Sequence, residues 1–285
     1  MQSTSATRIG LLAIALWSTL ALLTAATGRV PPFLLTALTF GIGGLVGLGA
    51  AVRGPGLGVL RLSPAAWLHG VGGLFGYHFL YFTALKLAPP AEAGLINYLW
   101  PLLIVLLSAT LPGHRLRLAH VTGAGLGLGG VILILTGKGL SGFSAEAAPG
   151  YLAAFSAAFI WATYSVTSRR FGHVRTEAVA GFCLATSALS FLCHFATEAP
   201  LWPASLVEWL AVVALGLGPV GAAFYAWDVG MKRGDVRFLG VASYAAPVLS
   251  TLLLVLCGFA EASWSLGLAC LLIVGGAALA ARAPG

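Results

Sequence analysis

Gly94-Leu95-Ile96-Asn97-Tyr98-Leu99-Trp100-Pro101 stands 146 residues ahead of Gly240-Val241-Ala242-Ser243-Tyr244-Ala245-Ala246-Pro247. Glycine, tyrosine and proline coincide in register. The same offset lays Gly70 and Gly72 on Gly216 and Gly218, Lys86 on Lys232, and Gly129-Gly130 on Gly275-Gly276 without a gap. At an offset of 144, Trp17-Ser18-Thr19 falls on Trp161-Ala162-Thr163. Glycine coincidences are cheap in a chain with 38 glycines. The Tyr-x-x-Pro pair, the Trp-x-Thr pair and the preserved order are not. The chain therefore reads as a tandem repeat, residues 1–140 followed by 147–285.

The medium of this repeat is lipid. Of 285 residues, 59% are apolar and 8% are charged, with a mean hydropathy of +0.96, whereas a soluble domain carries about 25% charged residues. A bilayer span needs about 20 mostly apolar residues. Runs of that kind lie near 8–26, 31–51, 64–86, 91–111 and 119–136, and again near 150–168, 177–197, 205–230, 237–257 and 263–281. Membrane helices accommodate the 14 prolines because neighbouring groups re-satisfy the freed backbone. The expected fold is an all-α integral membrane protein with ten transmembrane helices, arranged as two inverted five-helix repeats: five is odd, so the second half must cross in the opposite sense. Arg8 ahead of an apolar stretch ending in Thr24-Ala25-Ala26 has the look of a signal peptide, but this segment has a mid-chain counterpart and is read as a retained helix.

Lysine and arginine orient such a bundle. With the N-terminus inside, the inner segments hold Arg8, Arg53, Arg61, Arg115, Arg117, Arg169, Arg170, Arg175, Lys232, Arg233, Arg237 and Arg282. Only Arg29, Lys86 and Lys138 fall outside, where Glu92, Glu146, Glu198, Glu208 and Glu261 also lie. Both termini are expected in the cytoplasm. The net charge of +7 then reports topology, and no nucleic-acid partner is expected.

Inverted repeats characterise transporters, whose site lies near the midplane between the halves. An enzyme would want a convergent acidic pair, His-Glu-x-x-His or Gly-x-Ser-x-Gly, and a sensor would want a soluble signalling domain; the sequence offers none of them. Cys183, Cys193, Cys257 and Cys270 sit in apolar runs without metal-ligand spacing, and neither metal nor cofactor is expected. The expected partners are a small-molecule substrate and membrane lipid, for a monomeric carrier.

Helical spacing places Tyr77, His78 and Tyr81 on one side of the third span. Asn97, Tyr98, Trp100 and Pro101 make one turn of the fourth, and Trp17 and Trp161 are repeat counterparts. Together they could wall an aromatic pocket, with Tyr225, Ser243 and Tyr244 as weaker candidates from the second half. Each ring could instead face lipid; Trp67, Trp202, Trp209 and Trp264, near span ends, are read as interfacial. His78 could carry a proton or touch substrate, or simply bond a neighbouring helix; His69 and His194 lie nearer the ends. No acid occupies mid-span, which favours facilitated diffusion or exchange, with proton coupling through His78 as the alternative. Gly70, Gly73 and Pro101, with Gly216, Gly218, Pro219 and Pro247, are the expected hinges; close packing of small residues is the compatible alternative.

These residues resemble the drug/metabolite transporter superfamily, and within it the EamA-type carriers of two five-helix repeats. The resemblance spans the chain and rests on Trp17-Ser18-Thr19, Leu99-Trp100-Pro101, Tyr244-x-x-Pro247 and the glycine-rich fifth and tenth spans. Tyr77-His78-x-x-Tyr81 with Asn97-Tyr98-x-Trp100-Pro101 is similar to the YddG branch of aromatic amino-acid exporters. That resemblance implies a central cavity lined by spans 1, 3, 4, 6, 8 and 9. It also implies export of aromatic and other neutral amino acids from a bacterial inner membrane by alternating access. Efflux of drugs or other metabolites by the same fold is the alternative.

Overall fold

A computed structural model describes residues 3–112, 116–136, 144–256 and 264–282. Cys257 and Glu261, and the loop cations Arg115 and Lys138, lie outside them. Every regular element among the described residues is helical. The first half of the chain comprises α1 (Thr4–Ser18), α2 (Leu20–Ala26), α3 (Pro32–Arg53), α4 (Pro64–Leu87), α5 (Pro90–Asn97), α6 (Trp100–Leu107) and α7 (Leu118–Thr136). The second comprises α8 (Ala148–Thr167), α9 (Val179–Thr197), α10 (Leu206–Leu217), α11 (Ala223–Arg233), α12 (Val236–Ala242), α13 (Ala245–Leu256) and α14 (Trp264–Arg282). Prolines open α3, α4 and α5, where a missing N–H costs nothing. Ser63 and Ser205 accept from the backbone N–H groups of Ala66 and Glu208 to cap α4 and α10.

Six stretches among the described residues are long and apolar enough to cross a bilayer: Thr4–Ala26, Pro32–Arg53, Glu92–Thr110, Thr176–Thr197, Leu206–Arg233 and Val236–Leu253. Helices α4 and α8 are long enough, at 24 and 20 residues, but tyrosine, tryptophan, histidine and glycine dilute their apolar character. Tyr77, His78, Tyr81 and Trp161 among them line the site below. Leu45, Leu68, Leu192, Phe195, Leu210 and Leu271 point outward, 58% to 76% exposed, a surface suited to lipid.

The most extensive contacts run between the two halves of the chain: α1 with α11, α3 with α9, α4 with α8, and α7 with α14. Helix α6 also leans on α8 and α13 on α1, while α4 meets α9 and α3 meets α10. Replace each helix by its counterpart in the other repeat and these contacts map onto one another. Small residues set the approach. A Cβ on Gly123 would lie 2.6 Å from the Gly276 carbonyl oxygen, and one on Gly276 2.5 Å from that of Gly123. Gly276→Leu should therefore lower the melting temperature in detergent by the equivalent of at least about 1–3 kcal/mol of overpacking. Gly275→Leu, whose Cβ meets open space, should leave it unchanged.

Four long segments are broken, and several of the residues expected as hinges lie at or next to the breaks. Helix α1 gives way to α2 at Thr19, α5 to α6 at Tyr98–Leu99, and α12 to α13 at Ser243–Tyr244. Pro101 is the second residue of α6 and Pro247 the third of α13, so each proline starts the segment after a break. Between α10 and α11 a π-helical turn spans Gly218–Ala222, with Pro219 supplying no N–H to the ladder. Gly216 lies where a Cβ would meet Ile42 and the Thr39 carbonyl. Helix α4, by contrast, runs unbroken through Gly70 and Gly73. These glycines admit the Phe182 and Tyr164 rings, each within 2.5 Å of a built Cβ. In this conformation they serve packing.

Candidate functional site

The breaks surround a cavity of about 220 Å³. Trp17, Leu20 and Ala21 reach it from the α1–α2 junction, and Tyr77, His78 and Tyr81 from α4. The α5–α6 break contributes Asn97, Tyr98 and Trp100; α8 contributes Trp161. From the later segments come Pro219 and Val220 of the π turn, Phe224 of α11, and Ala246 and Ser250 of α13. The spacing of Tyr77, His78 and Tyr81 does place all three on the same wall. None of the lining side chains is charged.

Packed aromatic rings give this wall its shape. Trp17 sits 5.8 Å from Trp161, 6.3 Å from Trp100 and 5.0 Å from Trp227, ring centre to ring centre. Its indole Nε1–H donates to the Pro219 carbonyl at 3.0 Å, tying α1 to the oxygen presented at the π turn. Trp227 is held in turn by an Nε1–H donated to Ser165 Oγ at 3.0 Å. Phe224 stacks on Phe40 at 5.2 Å, and Phe40 meets His78 edge-on at 5.0 Å. Tyr77 and Tyr81 lie nearly parallel, 5.9 Å apart with an interplanar angle of 11°. Edge-to-face and offset arrangements of this kind each contribute about 0.5–1.5 kcal/mol beyond burial.

Two hydrogen bonds orient the polar members. His78 Nδ1–H donates to the Leu74 carbonyl at 2.7 Å, since a carbonyl can only accept. Asn97 Nδ2 donates to Tyr77 Oη at 3.0 Å, linking α5 to α4 across the cavity wall.

Three expected residues are elsewhere. Tyr225 turns away to donate its hydroxyl to the Gly43 carbonyl at 3.1 Å, between α3 and α11. Ser243 donates to the Leu239 carbonyl at 2.7 Å within its own helix. Tyr244 is buried against Gly127 among Val105, Val248 and Ile273. For Tyr225 the reason is register: 146 residues before it stands Phe79, whereas His78 and Tyr81 have Phe224 and Trp227 as counterparts. The offset from His78 points to Phe224, which lines the cavity, and that from Tyr81 to Trp227, which packs behind Trp17. Of the tryptophans read as interfacial, Trp202, Trp209 and Trp264 are exposed, but Trp67 packs on Phe182 at 5.5 Å.

Several polar groups buried beside the cavity are paired. His69 stacks between Tyr164 and Phe171, at 4.8 and 4.5 Å, and bonds Ser168 and Thr167. His194 contacts Glu198 at 3.0 Å, and Glu198 accepts from the first N–H groups of α3 at Phe33 and Leu34. Asp228 and Lys232, end-of-helix residues by sequence, are buried and joined at 2.8 Å. Arg169 donates to the Gly234 carbonyl where α11 turns into α12; burial lowers its pKa, and nearby Asp235 opposes that shift. Cys183, Cys193 and Cys270 carry free thiols.

A family model described as the EamA-like transporter family matches residues 6–136 and 148–282. The chain belongs to the EamA-like transporter family. Residues of both matched segments line the cavity. This transporter is similar to a curated protein of Ancylobacter novellus named aromatic amino acid exporter YddG, 67% identical over 98% of each chain. Proteins of the same name from Salmonella typhimurium and Escherichia coli are 33% identical over 89% of this chain and 88% of theirs, and 30% identical over 98% and 97%. A solved structure described only as a crystal structure of a protein superposes with a TM-score of 0.93, at 68% identity over 97% of both chains. These relatives are named as exporters, and the transporter is not placed among enzymes.

Proposed function

We propose that this transporter exports aromatic and other neutral amino acids by alternating access, from a bacterial inner membrane with both termini in the cytoplasm. One observation carries the reading: an uncharged cavity walled by tryptophan, tyrosine and phenylalanine rings, built from helices of both matched segments. An aromatic side chain gains stacking and burial there, and a modest sum of weak contacts suits a carrier that must release what it binds.

The ten-span, inverted arrangement is supported by the exchange of helix contacts between halves and by the charge bias of the loops. The mechanism follows from a difference between equivalent segments. Helix α4 is continuous through Gly72–Gly73, while its counterpart is interrupted by the π turn at Gly218–Ala222. One sequence pattern thus stands in two backbone conformations in one molecule. Exchanging them between the halves would close the cavity on one side and open it on the other. No charged side chain lines the cavity, which fits facilitated diffusion or exchange.

Counterflow in proteoliposomes tests this directly. With unlabelled phenylalanine or tryptophan trapped inside, labelled tryptophan added outside should accumulate transiently and in equal measure with or without a pH gradient. Movement of quaternary amines or sugars with indifference to phenylalanine would favour drug efflux instead. Accumulation driven by a pH gradient alone would establish proton coupling.

A further inference from the structure

The cavity's polar groups have a consistent character. Asn97 is 5% exposed, and with Nδ2 engaged by Tyr77 its Oδ1 is a buried acceptor without a hydrogen-bond partner. His78, with Nδ1–H committed to Leu74, presents Nε2 as an acceptor in its neutral form. Around them stand the faces of Tyr77 and three tryptophans, which attract cations through their ring quadrupoles. A carboxylate entering the same space would find no lysine or arginine among the lining residues, only neutral donors: the hydroxyls of the tyrosines and Ser250, the indole N–H groups and the Asn97 amide.

We infer that the site grips its substrate by the ammonium group, through Asn97 Oδ1, His78 Nε2 and the ring faces, so that aromatic primary amines lacking a carboxylate are ligands of this transporter while aromatic acids lacking an amine are not. The inference rests on the aromatic amino-acid reading above and specifies which half of the zwitterion is recognised. Burying an unpaired charge is costly. In this cavity acceptors and π faces both favour a cation, whereas an anion has neutral donors but meets the negative faces of the same rings. A buried acceptor left unsatisfied is also the kind of group that a ligand's N–H completes.

The purified full-length transporter should be titrated with phenylalanine, phenethylamine and phenylpropanoate, following intrinsic tryptophan fluorescence, since three indoles line the site. The same compounds should compete in labelled-phenylalanine counterflow. Phenethylamine is expected to bind within about threefold of phenylalanine, and phenylpropanoate at least about tenfold more weakly, the worth of one charge-assisted hydrogen bond. Asn97→Leu should shrink the amine-to-acid ratio to within about threefold. Asn97→Asp, which keeps the shape and adds a negative charge, should widen it. Phenylpropanoate binding as tightly as phenethylamine, with phenylalanine still bound and exchanged, would overturn the inference while leaving amino-acid transport intact. Failure of all three compounds to bind, with no phenylalanine exchange, would overturn the transport reading as well.

Discussion

Asp228→Ala should cost the folded protein about 3–5 kcal/mol, because it strands the Lys232 charge in the interior. The two side chains are each 4% exposed and meet at 2.8 Å. Their remaining atoms are engaged: Thr176 Oγ1 donates to Asp228 Oδ2 at 2.7 Å, and Lys232 Nζ donates to the Val174 carbonyl at 2.9 Å. Removing the acid leaves the ammonium with one neutral acceptor in place of a carboxylate. Thermal unfolding in detergent should show a large fall for Asp228→Ala and a smaller one for Asp228→Asn, which keeps an acceptor for Thr176. Replacing both partners, Asp228→Leu with Lys232→Met, should recover much of the loss, since apolar substitution of a buried pair is often neutral or stabilising. Lys86→Met provides the contrast. Lys86 is the repeat counterpart of Lys232 but lies 5.3 Å above the Phe33 ring, a contact of about 0.5–1 kcal/mol at an exposed site. An unchanged melting temperature for Asp228→Ala would remove the pair from any account of stability.

Tyr77→Ala and Tyr98→Ala together should reduce labelled tryptophan counterflow by about tenfold or more at equal amounts of folded protein. Both rings are only half-buried and line the cavity, so their loss falls on the ligand more than on the core. Each aromatic contact is worth about 0.5–1.5 kcal/mol beyond burial, and two such losses reach the 1.4 kcal/mol that makes a tenfold change. Tyr77→Ala also frees Asn97 Nδ2 and should weaken transport more than Tyr98→Ala. Trp161→Ala should reduce flux as well, but Trp161 is 4% exposed and touches Trp17, Trp100, Trp227 and Phe224. Much of its effect should therefore appear as lost folded protein, at about 3–5 kcal/mol for a buried tryptophan. Unchanged counterflow in the double tyrosine variant would place the substrate elsewhere.

The helical, membrane-embedded nature of the chain was legible because composition and the length of apolar runs depend on the surroundings alone. The aromatic wall of the first half was legible for a similar local reason: Tyr77, His78 and Tyr81 are neighbours on any α-helix. The second half was not. Tyr225 stands one residue past Phe224, the register counterpart of His78, and a one-residue step turns a side chain about 100° around a helix. Ser243 and Tyr244 mirror Asn97 and Tyr98 in sequence but not in place, because the halves adopt different backbones around Gly73 and Pro219. The burial of Asp228 could not be read either. Its partner Lys232 is an ordinary i,i+4 neighbour, and only packing of the 174–176 segment and α11 around the pair takes it out of water.

If two related halves cross the membrane in opposite senses around one cavity, equivalent positions in them must face opposite sides of the membrane. Gly58 and Ala204 occupy equivalent, exposed positions 146 residues apart. In a background without the native cysteines, Gly58→Cys and Ala204→Cys should be labelled by a membrane-impermeant maleimide from opposite sides: Gly58→Cys only after the cytoplasmic face is opened, Ala204→Cys in intact cells. Labelling of both from the same side would contradict the inverted arrangement and the exchange mechanism built on it.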